Sequence, residues 1–227
     1  MENKKNKIWN LYFTLIISFL IFVLFGLIQT LLAFIYGANN LEDINNHVGL
    51  ISLISSFVGC FLIIITIKIR GSSVIDYLNL RKTNFYPFKI IGSFLMLLIM
   101  MEALANSYPN LFEDQFAVDI YQATNKKLLL FLGIVLFGPV FEEFLFRGFL
   151  FKGLENSIGG SNAIIISAFL FSFVHIQYSI WILLFMVFPM ALFLGYVRFK
   201  TQSLLFPIGL HCLNNFITFL LVYLGFY

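Results

Sequence analysis

The side chains in this sequence whose types and spacing could do chemistry are Glu142, Glu143, Arg147, His175, His211 and Asn215. The first three lie in FGPVFEEFLFRGFL, Phe137 to Leu150, an otherwise apolar run. A charge near the middle of a bilayer costs about 2.5 to 3.5 kcal/mol on insertion scales, so such a cluster needs partners or water. On a helix Glu143 and Arg147 stand four apart with the acid N-terminal, the arrangement that forms an ion pair. Glu142 projects about 100° away from Glu143 and is left outside that pair. An unpaired carboxylate in a pocket is what the activation of water asks of a general base.

The other polar residues fit the same chemistry. His175 closes Phe171-Ser-Phe-Val-His175, and His211 opens His211-Cys-Leu-Asn-Asn215, which puts His211 and Asn215 on one side of a helix, one turn apart. A carboxylate beside an imidazole can take a proton from water and pass it to a leaving amine, while His and Asn donors can hold a developing oxyanion. These are the parts of peptide-bond hydrolysis. Glu142, His175 and His211 could instead form a His₂Glu metal set, zinc being the natural ion. No H-E-x-x-H helix is present and neither imidazole has an obvious carboxylate partner in sequence, so the cofactor-free version is preferred.

The elements that must position these groups are membrane helices. The 227 residues are 60% hydrophobic and only 11% charged, with a mean hydropathy of +0.94, against about 25% charged residues in a soluble domain. The expected fold is all-α, a polytopic transmembrane bundle around a buried cavity. Seven apolar stretches approach the roughly 20 residues that cross a bilayer: Ile8 to Tyr36, Val48 to Ile69, Phe88 to Ala105, Leu128 to Phe151, Ala163 to Gln177, Ile180 to Phe199 and Leu204 to Tyr227. The loop from Asn106 to Lys127 has room for an interfacial helix. Residues 1–127 read as N-terminal helices and loops and residues 128–227 as the core that carries the chemistry, in a single membrane domain.

Within the fourth span Pro139 should cost the hydrogen bond to the Val135 carbonyl and bend the helix, and Gly138 and Gly148 would admit a neighbouring helix or a substrate. Counting 1.5 Å per residue from the inner interface puts Glu142, His175, His211 and Asn215 at roughly 12 to 21 Å depth, in one layer. Glu102 lies in the third span, towards its outer end. His47 reads as a solvated loop residue, and Cys60 and Cys212 have no metal-type spacing.

Orientation follows from the basic residues. With the N-terminus inside, Lys4, Lys5, Lys7, Lys68, Arg70, Arg81, Lys82, Lys89, Lys152, Arg198 and Lys200 fall on inner segments. Only Lys126 and Lys127 fall on outer ones, beside Glu42, Asp43, Glu113, Asp114 and Asp119. The net charge of +3 bears on orientation, and no nucleic-acid partner is expected.

Glu142-Glu143-x-x-x-Arg147, Phe171-x-x-x-His175 and His211-x-x-x-Asn215 together resemble the three motifs of the CPBP family, the CAAX-protease and bacteriocin-processing (Abi) intramembrane peptidases. The likeness runs from Gly133 to Phe216. It implies a helical bundle with a conical cavity, Glu142 and His175 activating water, His211 and Asn215 forming the oxyanion hole, and Glu143 and Arg147 supporting them. The better-known members have eight spans. The substrate expected is a membrane-associated peptide or protein, and the Asn-, Lys-, Ile- and Phe-rich composition points to the cytoplasmic membrane of a bacterium. The alternative is a non-catalytic bacteriocin self-immunity or peptide-binding protein. A transporter is disfavoured because Pro139, Pro189 and Pro207 have no counterparts in the first half.

Overall fold

The computed structural model describes residues 10–37, 41–81, 88–112 and 115–225, all of them helix, turn or connecting loop. Among the described residues six helices are long and apolar enough to cross a membrane: α1 (Leu11–Tyr36), α2 (Leu41–Ile69), α4 (Phe88–Ser107), α7 (Lys127–Ile158), α9 (Ile180–Thr201) and α10 (Leu205–Leu224). Between them lie α3 (Val74–Leu78), α5 (Pro109–Phe112), α6 (Gln115–Ala123) and α8 (Gly160–Phe173). The bundle is all-α, as the composition requires. The loop before Lys127 does carry short helices, α5 and α6.

One expected span is shorter than its apolar run. Helix α8 has 14 residues, or about 21 Å at 1.5 Å per residue, too little for a hydrocarbon core of about 30 Å. It stops because the His175 amide bonds back to Ser172 in a tight turn, and Ser179 then caps the next helix. Among the described residues, six of the seven expected spans are therefore long enough to cross and the fifth, α8, is shorter. Of the residues that marked orientation, Lys4, Lys5, Lys7, Lys82, Glu113 and Asp114 lie outside the described residues, as does the side chain of Glu42.

Helix α7 is the axis of the molecule. It is a continuous 32-residue rod, but two stretches of it, Phe131–Phe137 and Phe144–Leu150, are π-helical and flank the α-helical Gly138–Glu143. Its core faces are packed by Phe141, Leu145, Phe149, Leu150 and Phe151, all nearly or fully buried. Against them lie α1, whose Phe25 ring stacks on Phe141 at 4.3 Å, and α2, whose Gly59 makes room for the same ring.

Helix α2 crosses α7 backbone on backbone. A Cβ on Gly133 would sit 2.1 Å from the Gly49 carbonyl oxygen, and one on Gly49 would sit 2.3 Å from the Leu130 nitrogen. Ser52 donates to the Gly133 carbonyl at 3.1 Å just beside this crossing. Gly133→Ala forces two main chains apart and is expected to cost at least about 1 to 3 kcal/mol. The measurement is the thermal midpoint in detergent, with Gly92→Ala as control because a Cβ there meets nothing within 4 Å.

Candidate active site

The Glu143–Arg147 spacing produces the expected ion pair: Arg147 Nη1 donates to Glu143 Oε1 at 3.0 Å, and both side chains are 0% exposed. Burial this complete is affordable only because each ion has further partners. Arg147 Nη2 donates to the Ala191 carbonyl on α9 at 3.1 Å, and its guanidinium lies over the Phe171 ring at 4.2 Å.

His211 reaches this pair from α10. Its Nδ1 stands 2.9 Å from Glu143 Oε1, the same oxygen that Arg147 engages, and its Nε2 stands 3.7 Å from Glu142 Oε2. A buried imidazole thus lies between the two adjacent carboxylates. Glu143 Oε1 is an acceptor, so Nδ1 carries its proton, and Nε2 is the nitrogen turned to Glu142. Glu143, on another helix, is thus the carboxylate partner of the His211 imidazole, one that local spacing does not reveal. Glu142 is the exposed member, its side chain keeping 27% of its surface accessible.

His175 occupies a different position. It lies in the turn after α8, half-buried, with Nδ1 2.7 Å from the Phe171 carbonyl. That contact places the proton on Nδ1 and leaves Nε2 with a free lone pair. Its ring packs on Phe171 (4.5 Å) and Tyr178 (6.3 Å). Phe171 is the hub: the rings of His175 and His211 and the Arg147 guanidinium all border it. The imidazole recorded at 3.7 Å from Glu142 is that of His211.

Asn215 follows His211 one turn along α10. Its Nδ2 donates to the Ile134 carbonyl at 3.0 Å, and its Oδ1 accepts from Asn214. The local reason lies in the π register. Gly138 donates to Gly133, five residues back, so the next donor in that ladder would be residue 139, opposite Ile134. Residue 139 is proline and has no N–H. The carbonyl deprived of its donor is therefore Ile134, not Val135, and Asn215 supplies the bond. One amide hydrogen of Asn215 remains for another acceptor.

His211 turns both ring nitrogens towards carboxylates, His175 commits Nδ1 to a backbone carbonyl, and among the described residues no group of three or more His, Cys, Asp or Glu could hold an ion. Gly148 admits Leu78 and Leu204, and Gly138 faces its own helix and Ser52, so both serve helix packing.

Glu102 is exposed and accepts from Asn106 at 3.2 Å. Two sequence expectations are corrected. His47 is half-buried, stacked on Tyr36 at 4.7 Å, with Nε2 2.6 Å from Lys126 Nζ, so it joins α2 to the start of α7. Arg198, read as a basic residue of the inner surface, is 0% exposed.

Residues 124–217 match the family model described as type II CAAX prenyl endopeptidase Rce1-like, a stretch that holds all three motifs and the cluster around His211. Over this stretch the chain is similar to the Rce1-like family. The recognition made from the motifs therefore holds, and the Rce1-like segment relates the chain to CAAX-type intramembrane proteases in general. With its six long apolar helices the chain is a multi-pass membrane protein. It is also 26% identical over 207 residues to UPF0177 protein YajF of Lactococcus lactis subsp. lactis, an alignment that covers 88% of this chain and 98% of that protein. None of the solved structures matches it.

Proposed function

We propose that the chain is an intramembrane endopeptidase that hydrolyses a peptide bond in a membrane-associated peptide or protein, without a metal cofactor, in the cytoplasmic membrane of a bacterium with its N-terminus inside. The observation that carries this reading is the buried imidazole of His211 set between a fully buried, ion-paired carboxylate, Glu143, and a partly exposed one, Glu142.

In this reading Glu142 is the general base. It removes a proton from water as the oxygen attacks the scissile carbonyl carbon. The oxyanion that forms is met by Nε2–H of His211, whose positive charge Glu143 compensates through Nδ1–H, and by the free amide hydrogen of Asn215. The tetrahedral intermediate collapses with cleavage of the C–N bond. The leaving nitrogen takes the proton from Glu142, so the carboxylate is regenerated. His175, with Nε2 free, assists water activation from the Phe171 side. The 3.7 Å gap between Glu142 and His211 is too long for a direct hydrogen bond and suits a shared water or substrate atom.

The test begins with the substrate. Membrane fractions of cells with and without the gene are compared for peptides that lose their processed ends, and the cleavage is then repeated with purified protein. Loss of the same processed ends in cells carrying Glu142→Gln or His211→Ala is the expected result. If unaltered processing persists in both variants, the peptidase reading fails, and binding or protection that survives Glu142→Gln would identify a non-catalytic peptide binder instead.

A further inference from the structure

The residue that neither the motifs nor the proposed chemistry uses is Arg198. It lies on α9, is 0% exposed, and among the described residues has no carboxylate at ion-pair distance. A cation buried in a membrane helix on these terms is expensive, and its retention asks for a function. Its Nε donates to the Arg147 carbonyl at 3.0 Å. With the Asn79 amide oriented to satisfy both neighbours, Asn79 Oδ1 accepts from Arg198 Nη2 at 3.2 Å. The guanidinium also lies 5.6 Å from the centre of the Phe151 ring.

The identity of the acceptor is what matters. Where Phe144–Leu150 returns from the π to the α register, the Phe151 amide donates to the carbonyls of Phe146 and Gly148. The Arg147 carbonyl, between them, is passed over. A buried carbonyl without a donor costs about 1 to 3 kcal/mol, so a π segment at this place needs a side chain to complete it. Arg198 does for the second π segment what Asn215 does for the first. Arg147 meanwhile donates from its own side chain to Ala191 on α9, so the two arginines clasp each other's helices.

We infer that Arg198 is a positioning residue of the site: by capping the Arg147 carbonyl it holds the π register of Phe144–Leu150, and so fixes the direction from which Arg147 grips Glu143 and Glu143 grips His211. The inference rests on the reading of the Glu142–His211 cluster as the active site, but its test needs no substrate.

The chain has three histidines, His47, His175 and His211, so full-length protein labelled with ¹³C,¹⁵N-histidine in lipid nanodiscs gives three imidazole spin systems, with His211 assigned from His211→Gln. Arg198→Met keeps the packing and loses every donor, whereas Arg198→Lys keeps the charge and loses the N–H at the Nε position. Each is expected to shift the His211 imidazole resonances and leave those of His47 in place. An unmoved His211 in either folded variant overturns the inference. Wild-type protein labelled with ¹⁵N-arginine supplies a measurement that no folding defect can spoil. There the Arg198 Nε–H should exchange with solvent more slowly than that of exposed Arg81, and equal rates overturn it. A positive result beside an inactive substrate assay would leave the positioning role intact and remove only the peptidase reading.

Discussion

Glu142→Gln is expected to slow cleavage of the natural substrate by about 10²- to 10⁴-fold, the usual contribution of a general base, with little change in thermal stability. The two expectations come from the same geometry. Glu142 is the carboxylate of the cluster that keeps surface accessible, and its nearest partner, His211 Nε2, is 3.7 Å away, beyond hydrogen-bond length. Its amide replacement preserves shape and leaves the Glu143, Arg147 and His211 contacts untouched. The measurement is single-turnover hydrolysis by protein in nanodiscs, paired with a thermal unfolding scan. A rate within a few-fold of wild type would remove Glu142 from the chemistry.

Arg147→Met should act in the opposite way, on stability first. It leaves Glu143 fully buried without its counter-ion, a situation that costs about 3 to 5 kcal/mol when one partner of a buried pair is removed. It also strands the Ala191 carbonyl. The double variant Glu143→Leu/Arg147→Met removes both charges together, and its thermal midpoint should lie above that of Arg147→Met alone, because two apolar side chains fill the site without an orphan ion. A double variant no more stable than the single one would mean that the pair acts through its hydrogen bonds to Ala191 and His211 and not through charge compensation. Both proteins should be inactive, since Arg147→Met removes the group that fixes Glu143 and the double variant also removes the carboxylate that orients His211.

What could be read without coordinates was whatever depends on local spacing. Glu143 and Arg147 lie four apart, and any helix brings them together. Leu, Ile and Phe in runs of about 20 can only be membrane helices, and three motifs in order are enough to mark a family over residues 124–217. The chain therefore determined by itself the fold class, the pairing of Glu143 with Arg147, and the set of residues that could do chemistry.

Tertiary structure alone decided how those residues combine. Helix periodicity says on which side of its own helix His211 lies, but not that it faces both glutamates, 68 and 69 residues away, or that His175 lies in a turn against Phe171. Nor does it foresee a π register, because the surplus residue in a π turn is stabilised by donors from other helices: Asn215 at Ile134 and Arg198 at the Arg147 carbonyl. Such bonds join groups far apart in sequence, and their energy exists only once the helices are packed. For the same reason Arg198 read as a surface charge until the packing of α9 against α7 buried it.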